Sequence, residues 1–445
     1  MMAKGIGVYL RKAFTLVLFM VVSAFALFFA YGYQYDFKKK DIQKTSIIDI
    51  SAKESDVKVM LEGQEVANQL PFQVKGVLPG KYVVEVMKAG FEMWQRQVDV
   101  AEDIVTIVND VILVPVDLQK LIRPLVTFSQ KNARYFYGMD YIVELQPGEK
   151  SLRVISLYGN ATVKDEEIEL FKSGIDRIEP LDGDDFLIYF NDGGTAWVSF
   201  VNKRFVFFNL PKGADSIRVS AERDYLYYLL DRNLYGVPLV EVDKLQETPD
   251  QFMIVSDVSA YVSTLNGDLY YLSSGKPYKA DYKGNGALHV ETFQGDFINI
   301  GYKPGHDYGA LILRDKDQKR HLSIIDPTGN IRILENDLKG EPFFNDNDEV
   351  IYASDSGTVY FLDNTSAGKK IVSKQSGDFT LLGWFTNEGH FIQREGNKVI
   401  MNDIYNSNRY TLIEDASGMD KIFVSGKSLF FLKENTLNVL SWLDG

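Results

Sequence analysis

The stretch Asp192-Gly193-Gly194-Thr195-Ala196-Trp197 joins a polar turn to a strand-forming run, and it sets the pattern for most of the chain. Asp and Gly favour turn conformations, whereas β-branched and aromatic side chains fit pleated strands. The same combination returns at Asp231-Arg232-Asn233-Leu234-Tyr235, Asn266-Gly267-Asp268-Leu269-Tyr270-Tyr271 and Asp355-Ser356-Gly357-Thr358-Val359-Tyr360-Phe361, and in weaker form at Gly396-Asn397-Lys398-Val399-Ile400 and Glu434-Asn435-Thr436-Leu437. Repetition of one turn and strand unit indicates an all-β repeat protein.

The spacing of these turns gives the length of the repeat. The intervals are 40, 34, 90, 40 and 38 residues for turns placed at Gly193, Asn233, Gly267, Gly357, Asn397 and Asn435. The interval of 90 holds two steps of 45, so one further turn is expected within residues 308–333. A period near 40 residues is typical of the blade of a β-propeller.

Each repeat supplies several strands. In the clearest one, residues 185–190, 195–200 and 204–210 predict three strands, and residues 175–181 predict a fourth nearer the axis. No helical pattern alternates with them, which argues against a fold of β-α-β units. Radial stacking of such sheets buries both faces and leaves only short edges, so residues 118–445 are predicted to form a β-propeller.

The expected number of blades depends on how the ring closes. The last repeat, residues 419–442, shows three strands and lacks the outermost one. Residues 125–128 precede the first complete repeat and are positioned to supply it. This count gives eight blades, and seven remains an equal alternative because element boundaries are poorly defined by one sequence.

Residues 47–117 predict a small separate β-sandwich. Val57, Val59 and Leu61 alternate with more polar neighbours, which is the period of a half-buried strand. Pro79-Gly80 predicts a turn, where Pro presets φ and Gly accepts a positive φ. Further strands are predicted at residues 82–87, 98–100 and 106–116, giving about five short strands in this unit.

This unit resembles the PEGA domain, a small module of bacterial surface and envelope proteins. The residues that carry the resemblance are Val57-Lys58-Val59-Met60-Leu61-Glu62-Gly63-Gln64, Pro71-Phe72, Leu78-Pro79-Gly80-Lys81-Tyr82-Val83-Val84-Glu85-Val86 and Lys88-Ala89-Gly90-Phe91. The namesake tetrapeptide reads Leu78-Pro79-Gly80-Lys81 here and departs from the family pattern. The resemblance implies a spacer or interaction domain without chemistry of its own.

The segment 13–35 contains no charged side chain. As a helix it would be about 34 Å long, enough to cross the roughly 30 Å hydrocarbon core of a bilayer. We expect a retained membrane anchor here, and a cleaved signal peptide is the alternative, because small residues at Ala24, Ala26 and Ala30 offer cleavage sites. Residues 1–12 would then be a cytoplasmic tail and residues 36–46 a juxtamembrane linker.

The topology follows from the size of what lies beyond the anchor. Long C-terminal domains are translocated largely regardless of their charge, and a basic N-terminus favours the cytoplasmic side. We therefore expect a single-pass protein of a bacterial cell membrane with its large domains outside. The absence of cysteine fits a bacterial envelope, and it excludes disulfides, thiolate metal sites and cysteine nucleophiles.

The charge balance bears on the partners. The formal net charge is −13, with the acidic residues dispersed along the chain. A surface of that sign does not favour the phosphates of nucleic acid, so no nucleic-acid partner is expected. A core rich in Tyr and Phe supports a folded, soluble and monomeric external part.

Enzyme motifs are missing from the sequence. It contains no His-Glu-x-x-His zinc motif, no Gly-x-Ser-x-Gly elbow, and no Walker or Rossmann glycine loop. The four histidines are scattered without a metal-ligand spacing, at positions His289, His306, His321 and His390. We therefore expect no catalytic residue and no cofactor.

Two acidic turns are the candidates for a metal site. Asp182-Gly183-Asp184-Asp185 and Asn345-Asp346-Asn347-Asp348-Glu349 bunch oxygen atoms that Ca²⁺ accepts as ligands. Asp, Asn and Gly are also the ordinary residues of hairpin turns, and that interpretation is favoured. Two interpretations are also open for the tryptophans, which could line a sugar-binding surface or pack in the core, the latter being more usual. They are Trp94, Trp197, Trp384 and Trp442.

These observations predict a non-enzymatic, membrane-anchored envelope protein. Its propeller would bind a protein or a glycan through a broad face of loops, and the PEGA-like unit would act as a spacer or interaction module. One alternative is an envelope enzyme, a polysaccharide hydrolase or lyase with its site at the propeller channel. The other is a scaffold for envelope assembly.

Overall fold

The computed structural model describes residues 3–37, 39–128, 134–137, 141–145, 151–158, 162–169, 174–181, 185–199, 204–220, 223–239, 251–264, 267–293, 295–363, 368–386, 389–405 and 408–443. The chain divides into two compact units. The first comprises Met1–Leu118 with Tyr405–Asn408, and the second comprises Gln119–Ile404 with Arg409–Gly445. The finer limits predicted from the sequence stay predictions.

The first unit begins with helix α1, Ala3–Ala30. Gly32 follows with a φ of 79°, the left-handed conformation that commonly ends a helix. The predicted helical segment 13–35 is therefore too long at its C-terminal end, since Tyr33 and Tyr35 belong to strand β1, Tyr33–Asp36. Among the residues that the structure describes, no helix has the length and apolar character needed to cross a membrane.

Strand β1 forms a hairpin with β2, Asp41–Lys44, in which Tyr33 lies opposite Lys44. The backbone N–H of Lys44 donates to Glu102 Oε1 at 3.0 Å, and its ammonium group pairs with Asp103. Residues 36–46, expected as a linker, thus include a paired strand that is tied to the rest of the first unit.

The remainder of the first unit is a β-sandwich of two sheets. Its strands are β3 (Ser46–Ala52), β4 (Asp56–Leu61), β5 (Gln64–Gln69), β6 (Phe72–Val77), β7 (Gly80–Met87), β8 (Trp94–Val100) and β9 (Val105–Val111). The sheets have the orders β6-β3-β9 and β5-β4-β7-β8. Ile48, Val59, Val84 and Trp94 pack in the core between them. Within the described residues the sandwich has seven strands where about five were predicted, and β3, β5 and β6 were not placed from the sequence. In β5 most side chains are exposed and show no clear alternation.

The second unit opens with a short 3-10 helix, Leu118–Leu121, and strand β10, Ile122–Thr127. Four-stranded antiparallel sheets follow, which we call blades. Blade 1 contains β11 (Arg134–Tyr137), β12 (Tyr141–Leu145), β13 (Ser151–Tyr158) and β14 (Thr162–Glu169); blade 2, β15 (Ile175–Pro180), β16 (Asp185–Phe190), β17 (Thr195–Ser199) and β18 (Arg204–Phe208); blade 3, β19 (Asp215–Val219), β20 (Tyr225–Leu230), β21 (Asn233–Pro238) and β22 (Phe252–Val255); blade 4, β23 (Ala260–Ser263), β24 (Leu269–Ser273), β25 (Lys276–Ala280) and β26 (Leu288–His289).

The later blades repeat the arrangement. Blade 5 contains β27 (Phe297–Pro304), β28 (Gly309–Asp315), β29 (Arg320–Ile325) and β30 (Ile331–Glu335); blade 6, β31 (Leu338–Phe344), β32 (Val350–Ser354), β33 (Thr358–Leu362) and β34 (Lys369–Lys374); blade 7, β35 (Phe379–Thr386), β36 (His390–Glu395), β37 (Lys398–Asp403) and β38 (Arg409–Ile413); blade 8, β39 (Met419–Ser425), β40 (Ser428–Lys433), β41 (Thr436–Leu440) and β10. The first strands of neighbouring blades contact one another, as β31 does β35 and β35 does β39, so they surround the axis.

The ring closes through strands from opposite ends of the unit. Strand β10 pairs antiparallel with β41, with Ile122 opposite Leu440 and Thr127 opposite Thr436. The described residues of the second unit thus form eight four-stranded sheets, and a β-propeller with this closure is what the sequence predicted. The closing strand begins at Ile122, three residues before the predicted start.

One of the turns that were used to measure the repeat length was assigned to the wrong place in its blade. Gly267 lies in the turn between the first and second strands of blade 4, whereas the other turns used for the spacing join second and third strands. The equivalent turn of blade 4 contains Gly275. The missing member of the series is the turn between Asp315 and Arg320, inside the predicted window. With these two turns the period is close to 40 residues throughout.

Both faces of a blade are buried against its neighbours. In β24, Tyr270 and Leu272 pack with residues of blade 5, whereas Leu269 and Tyr271 pack with Tyr227 of blade 3. Successive side chains of a strand point to opposite faces, so one apolar strand contributes to two cores. This explains why the middle strands read as continuous apolar runs.

Candidate functional site

A cavity of about 190 Å³ lies at the inner strands of the propeller. Its walls come from β27, β28 and β29 of blade 5, from β31 of blade 6, and from β19 of blade 3. Inner strands of blades that are not adjacent meet only around the axis, so the cavity belongs to the central channel. We call it the channel pocket.

One face of blade 5 forms the main wall of the channel pocket. Ile312 of β28 packs against Leu338 of blade 6. Side chains two residues apart on a strand, or directly opposite on neighbouring strands, share a face. Arg314 and its cross-strand partners Asn299 and Arg320 therefore lie on the side of blade 5 that faces blade 6.

Gly301 keeps the middle of this wall open. It lies opposite Ile312 on β27, between Asn299 and Lys303. A Cβ atom at Gly301 would lie 3.8 Å from the carbonyl oxygen and 3.9 Å from the Cβ of Ile312, which is ordinary van der Waals contact. The backbone does not require glycine here, so the missing side chain serves to leave space.

A β-bulge supplies the opposite wall. The pairing of β31 with β32 shifts register between Lys339 and Phe343, so Gly340 and Glu341 leave the regular ladder. The Arg320 guanidinium group donates to the carbonyl oxygen of Gly340 and to Glu341 Oε1, the latter at 2.5 Å. This bidentate contact fixes Arg320 at the rim between blades 5 and 6.

The channel pocket is strongly positive. Four lining side chains are cationic and one is anionic; the cationic ones are Arg218, Lys303, Arg314 and Arg320. Glu341, the anionic one, pairs with Arg320. Among the described residues, no ion-pair or hydrogen-bond partner is found for the side chains of Lys303 and Arg314. The pocket thus concentrates positive charge in a chain whose net charge is −13.

The first predicted acidic turn does not gather its oxygens in a described site. Residues 182–184 lie outside the described residues, and only Asp185 can be placed. Its carboxylate accepts from Arg223 Nε of blade 3, at 2.9 and 3.2 Å. Burial raises the pKa of Asp185, against the attraction of Arg223. The carboxylate therefore serves as an ion-pair partner between blades.

The second predicted acidic turn, residues 345–349, is one of four turns with the same geometry in the part of the chain that the structure describes. In each, the side chain of the first residue accepts the backbone N–H of the third and fifth residues; the first residues are Asp281, Asp315, Asp326 and Asn345. The fourth residue has a positive φ in all of them, at Gly284, Gln318, Gly329 and Asp348. The favoured interpretation, ordinary turn chemistry, accounts for this cluster.

Asp348 joins two blades. Its carboxylate accepts the backbone N–H groups of His306 at 2.6 Å, Asp307 at 2.8 Å and Tyr308 at 3.4 Å, all in the first turn of blade 5. His306, Asp307 and Asp348 also bring ligand atoms within 4.8 Å of one another. Because both carboxylate oxygens of Asp348 already accept hydrogen bonds, the cluster is explained as a contact between blades.

The other histidines have structural contacts. His321 Nε2 lies 2.9 Å from Asp315 Oδ2, and His289 packs edge-on against Tyr278. His390 is fully buried, with Nδ1 3.1 Å from Thr386 Oγ1 and Nε2 3.6 Å from Asp403 Oδ2. Thr386, His390 and Asp403 are thus arranged like the nucleophile, base and carboxylate of a catalytic triad. All three side chains are buried, which leaves no access for a substrate.

The tryptophans lie mainly in cores. Trp94 and Trp197 are fully buried, in the sandwich and between blades 2 and 3. Trp384 is half-buried and its Nε1 donates to the carbonyl oxygen of Phe343 at 2.9 Å, while Trp442 stacks on Phe385. Their placement matches the core interpretation and offers no aromatic platform for a sugar within the described residues.

The family comparison concerns the sandwich. Residues 45–112 match the PEGA domain. The resemblance drawn from the turn and strand series is therefore confirmed. No curated protein sequence matches the chain.

Solved structures similar to the chain include several propellers. BamB from Moraxella catarrhalis has 10% identity and a TM-score of 0.43, covering 72% of this chain and 100% of that one. The Dos1 propeller has 12% identity and a TM-score of 0.43, covering 73% and 96%. Dipeptidyl peptidase 4 from Porphyromonas gingivalis has 10% identity and a TM-score of 0.47, covering 71% and 58%. At these identities the similarity concerns the fold alone.

Sequence reasoning missed the residues of the channel pocket. Arg218, Arg314 and Glu341 form no motif, because they are far apart in the chain and belong to three blades. One weak feature of the sequence could have pointed to the pocket. Arg314 and Arg320 flank a turn at matching positions of a hairpin, which places like charges opposite each other.

Proposed function

We propose that this chain is a non-enzymatic, membrane-anchored protein of the bacterial cell envelope. Its propeller lies outside the membrane and binds a protein or a glycan, and the PEGA domain acts as a spacer or interaction module. The observation that carries the proposal is the channel pocket, whose lining groups are suited to holding a ligand by charge and hydrogen bonds.

The lining of the pocket favours binding over catalysis. Cleavage of a glycosidic bond in most families needs two carboxyl groups about 5 to 9.5 Å apart on either side of the bond. The described lining residues include a single carboxylate, Glu341, and it is held by Arg320. Among the described residues that line this pocket, the hydrolase alternative therefore finds no acid and base pair.

The surface of α1 supports the membrane anchor. Phe14, Phe19 and Phe25 are 68%, 69% and 60% exposed, and most of the other large apolar side chains in the described part of the helix are similarly exposed, Phe28 excepted. Apolar surface left in water costs about 25 cal/mol per Å², and contiguous patches of this kind mark membrane or protein interfaces. A bilayer would cover this surface, with the N-terminal end of α1 on the cytoplasmic side.

Closure of the ring supports a monomer. Strand β10 completes blade 8 from within the same chain, so no sheet of the closed ring needs a strand from a second copy. Tethering to the membrane would then raise the effective concentration of the propeller near its partner, so that modest affinity suffices.

Two measurements on the full-length chain test the proposal. A reporter that is active only after export, fused after Gly445, should be active in bacterial cells. Crosslinking of intact cells followed by recovery of the chain should then yield an envelope protein or glycan. An inactive export reporter, together with activity of a cytosol-dependent reporter fused at the same position, would overturn the proposed location. Recovery of cytosolic partners alone would overturn the proposed role.

A further inference from the structure

We infer that the channel pocket binds a phosphate group, either free or carried by a larger envelope molecule. The inference rests on the proposed function, because it names the ligand chemistry of the same binding module. It begins from two arginines that lie directly opposite each other. Arg314 and Arg320 are cross-strand partners on one face of blade 5.

Like charges in that position destabilise a sheet unless something neutralises them. Arg320 has its neutralising partner in Glu341. For Arg314 none is found among the described residues, nor is one found for Lys303 further along β27. The excess of positive charge is therefore concentrated where the pocket is open, and an anion placed there would be attracted by several groups at once.

The chemistry of the lining selects the kind of anion. An arginine guanidinium group presents paired N–H donors that match phosphate and carboxylate oxygens. A phosphate monoester carries a charge of about −1.5 to −2 near neutral pH, and so neutralises Lys303 and Arg314, the two cations without a partner among the described residues, better than a single carboxylate does. Asn299, directly opposite Arg314, adds a neutral side chain with N–H donors at the same level of the pocket.

The size of the pocket limits what enters. A volume of about 190 Å³ is below the usual range of sites for drug-sized ligands. A single phosphate group with a small substituent fits, whereas a folded nucleic acid or a bulky chain does not. The open space beside Gly301 is the part that a larger side chain would fill.

The test is calorimetric titration of the detergent-purified full-length chain with inorganic phosphate, and separately with glycerol 3-phosphate. Sodium acetate at equal ionic strength is the control anion. We expect saturable binding of at least one of the two phosphate compounds and none of acetate. Tighter binding of glycerol 3-phosphate would point to a phosphate carried by a larger molecule, and tighter binding of inorganic phosphate would point to the free anion.

Three variants make the assignment specific. Arg314→Gln should weaken phosphate binding about tenfold or more, because it removes a charge-assisted contact. Arg332→Gln is the matched control: it removes the same charge from an exposed position of strand β30 in the same blade and should leave the dissociation constant unchanged within about twofold. Gly301→Leu keeps every charge but fills the open space, and should also abolish binding. Equal melting temperatures would show that all three variants fold.

The results also separate this inference from the proposed function. If the wild-type chain binds neither phosphate compound, or if Arg314→Gln and Arg332→Gln bind equally well, the inference is overturned. Recovery of an envelope partner in that case would leave the proposed function standing. Specific phosphate binding, combined with a reporter that stays in the cytosol, would support the pocket and overturn the envelope role.

Discussion

The Asp326 side chain shows how much of the propeller's local order comes from single carboxylates. It accepts the Thr328 hydroxyl at 2.6 Å and the backbone N–H groups of Thr328 and Asn330 at 2.9 Å each. These bonds, led by that from the Thr328 hydroxyl, lower the pKa of Asp326 from 3.8 to about 2. Because these hydrogen bonds favour the ionised form of Asp326, its carboxylate holds the turn in one conformation.

The lowered pKa of Asp326 predicts a pH dependence. A group whose pKa is lower in the folded state stabilises the fold fully above its unfolded value near 3.8, and this contribution is lost as the pH falls through about 2. Asp326→Asn keeps an oxygen acceptor but has no charge to lose. In urea unfolding, the stability advantage of the wild-type chain over Asp326→Asn should therefore be larger at pH 5 than at pH 2. An advantage independent of pH would contradict this assignment.

Asp348 predicts a larger effect, because its carboxylate joins two blades. Asp348→Gly preserves the positive φ of 59° but removes the acceptor of three backbone N–H groups in blade 5. Leaving these donors without partners should lower the free energy of unfolding by about 2 kcal/mol or more. Chemical denaturation at neutral pH measures this loss.

Gln318→Gly is the matched control for Asp348→Gly. Gln318 occupies the same fourth position of the same kind of turn, with a φ of 67°, and its side chain is exposed. The relief of backbone strain and the added flexibility of glycine should nearly cancel, so the change should stay within about 1 kcal/mol. Similar losses in both variants would show that the Asp348 carboxylate contributes little.

Among the elements, strand β10 decides whether the ring is closed. It pairs with β41 across almost the whole length of the second unit, so the ends of that unit hold each other in place. The sequence indicated this strand because the last repeat lacked its outermost member. It could not fix the pairing register, since the bulge between Pro124 and Val126 depends on the partner strand.

The closure can be tested with a disulfide. Thr127 and Thr436 are cross-strand partners with their Oγ1 atoms 3.4 Å apart, and the chain has no cysteine of its own. The double variant Thr127→Cys, Thr436→Cys should oxidise readily and raise the free energy of unfolding by about 2 to 4 kcal/mol. The reduced form of the same protein is the control, and failure to form the bond under oxidising conditions would contradict the register.

The turns illustrate what a single sequence can and cannot give at this scale. Polar turns and apolar strands were visible because Gly, Asp and Asn act locally on the backbone. Whether a turn joins the first and second or the second and third strands of a blade was not visible, as Gly267 shows. That distinction depends on which strand lies nearest the axis, which is a property of the assembled ring.

For the whole molecule, the structure predicts stability without a bound cation. In the turn at residues 345–349 the side-chain oxygens of Asn345 and Asp348 accept N–H groups, and Asp185 is paired with Arg223. Chelation with EDTA should therefore shift the melting temperature of the full-length chain by less than about 2 °C, because a cation that does not bind the folded state adds nothing to its stability. A steep fall would instead support the calcium alternative.

The channel pocket belongs to the scale of the whole molecule. Its charged residues come from β19, β27, β28, β29 and β31, and no short motif connects them. The sequence predicted a binding face of loops and left open a site in the channel. The cationic character of that channel emerged only when the inner strands were placed around one axis.

The sequence by itself determined most strands and turns of the propeller, the repeat period and the PEGA domain, because each depends on residues that are neighbours in the chain. Only the tertiary structure decided that Arg314 faces Arg320, that Asp348 reaches across to blade 5, and that Arg218 shares a cavity with Glu341. These pairings depend on strand register and on the stacking of blades, which bring together groups far apart in sequence. The energy of such contacts depends on the assembled ring, so the local sequence around each residue does not indicate them.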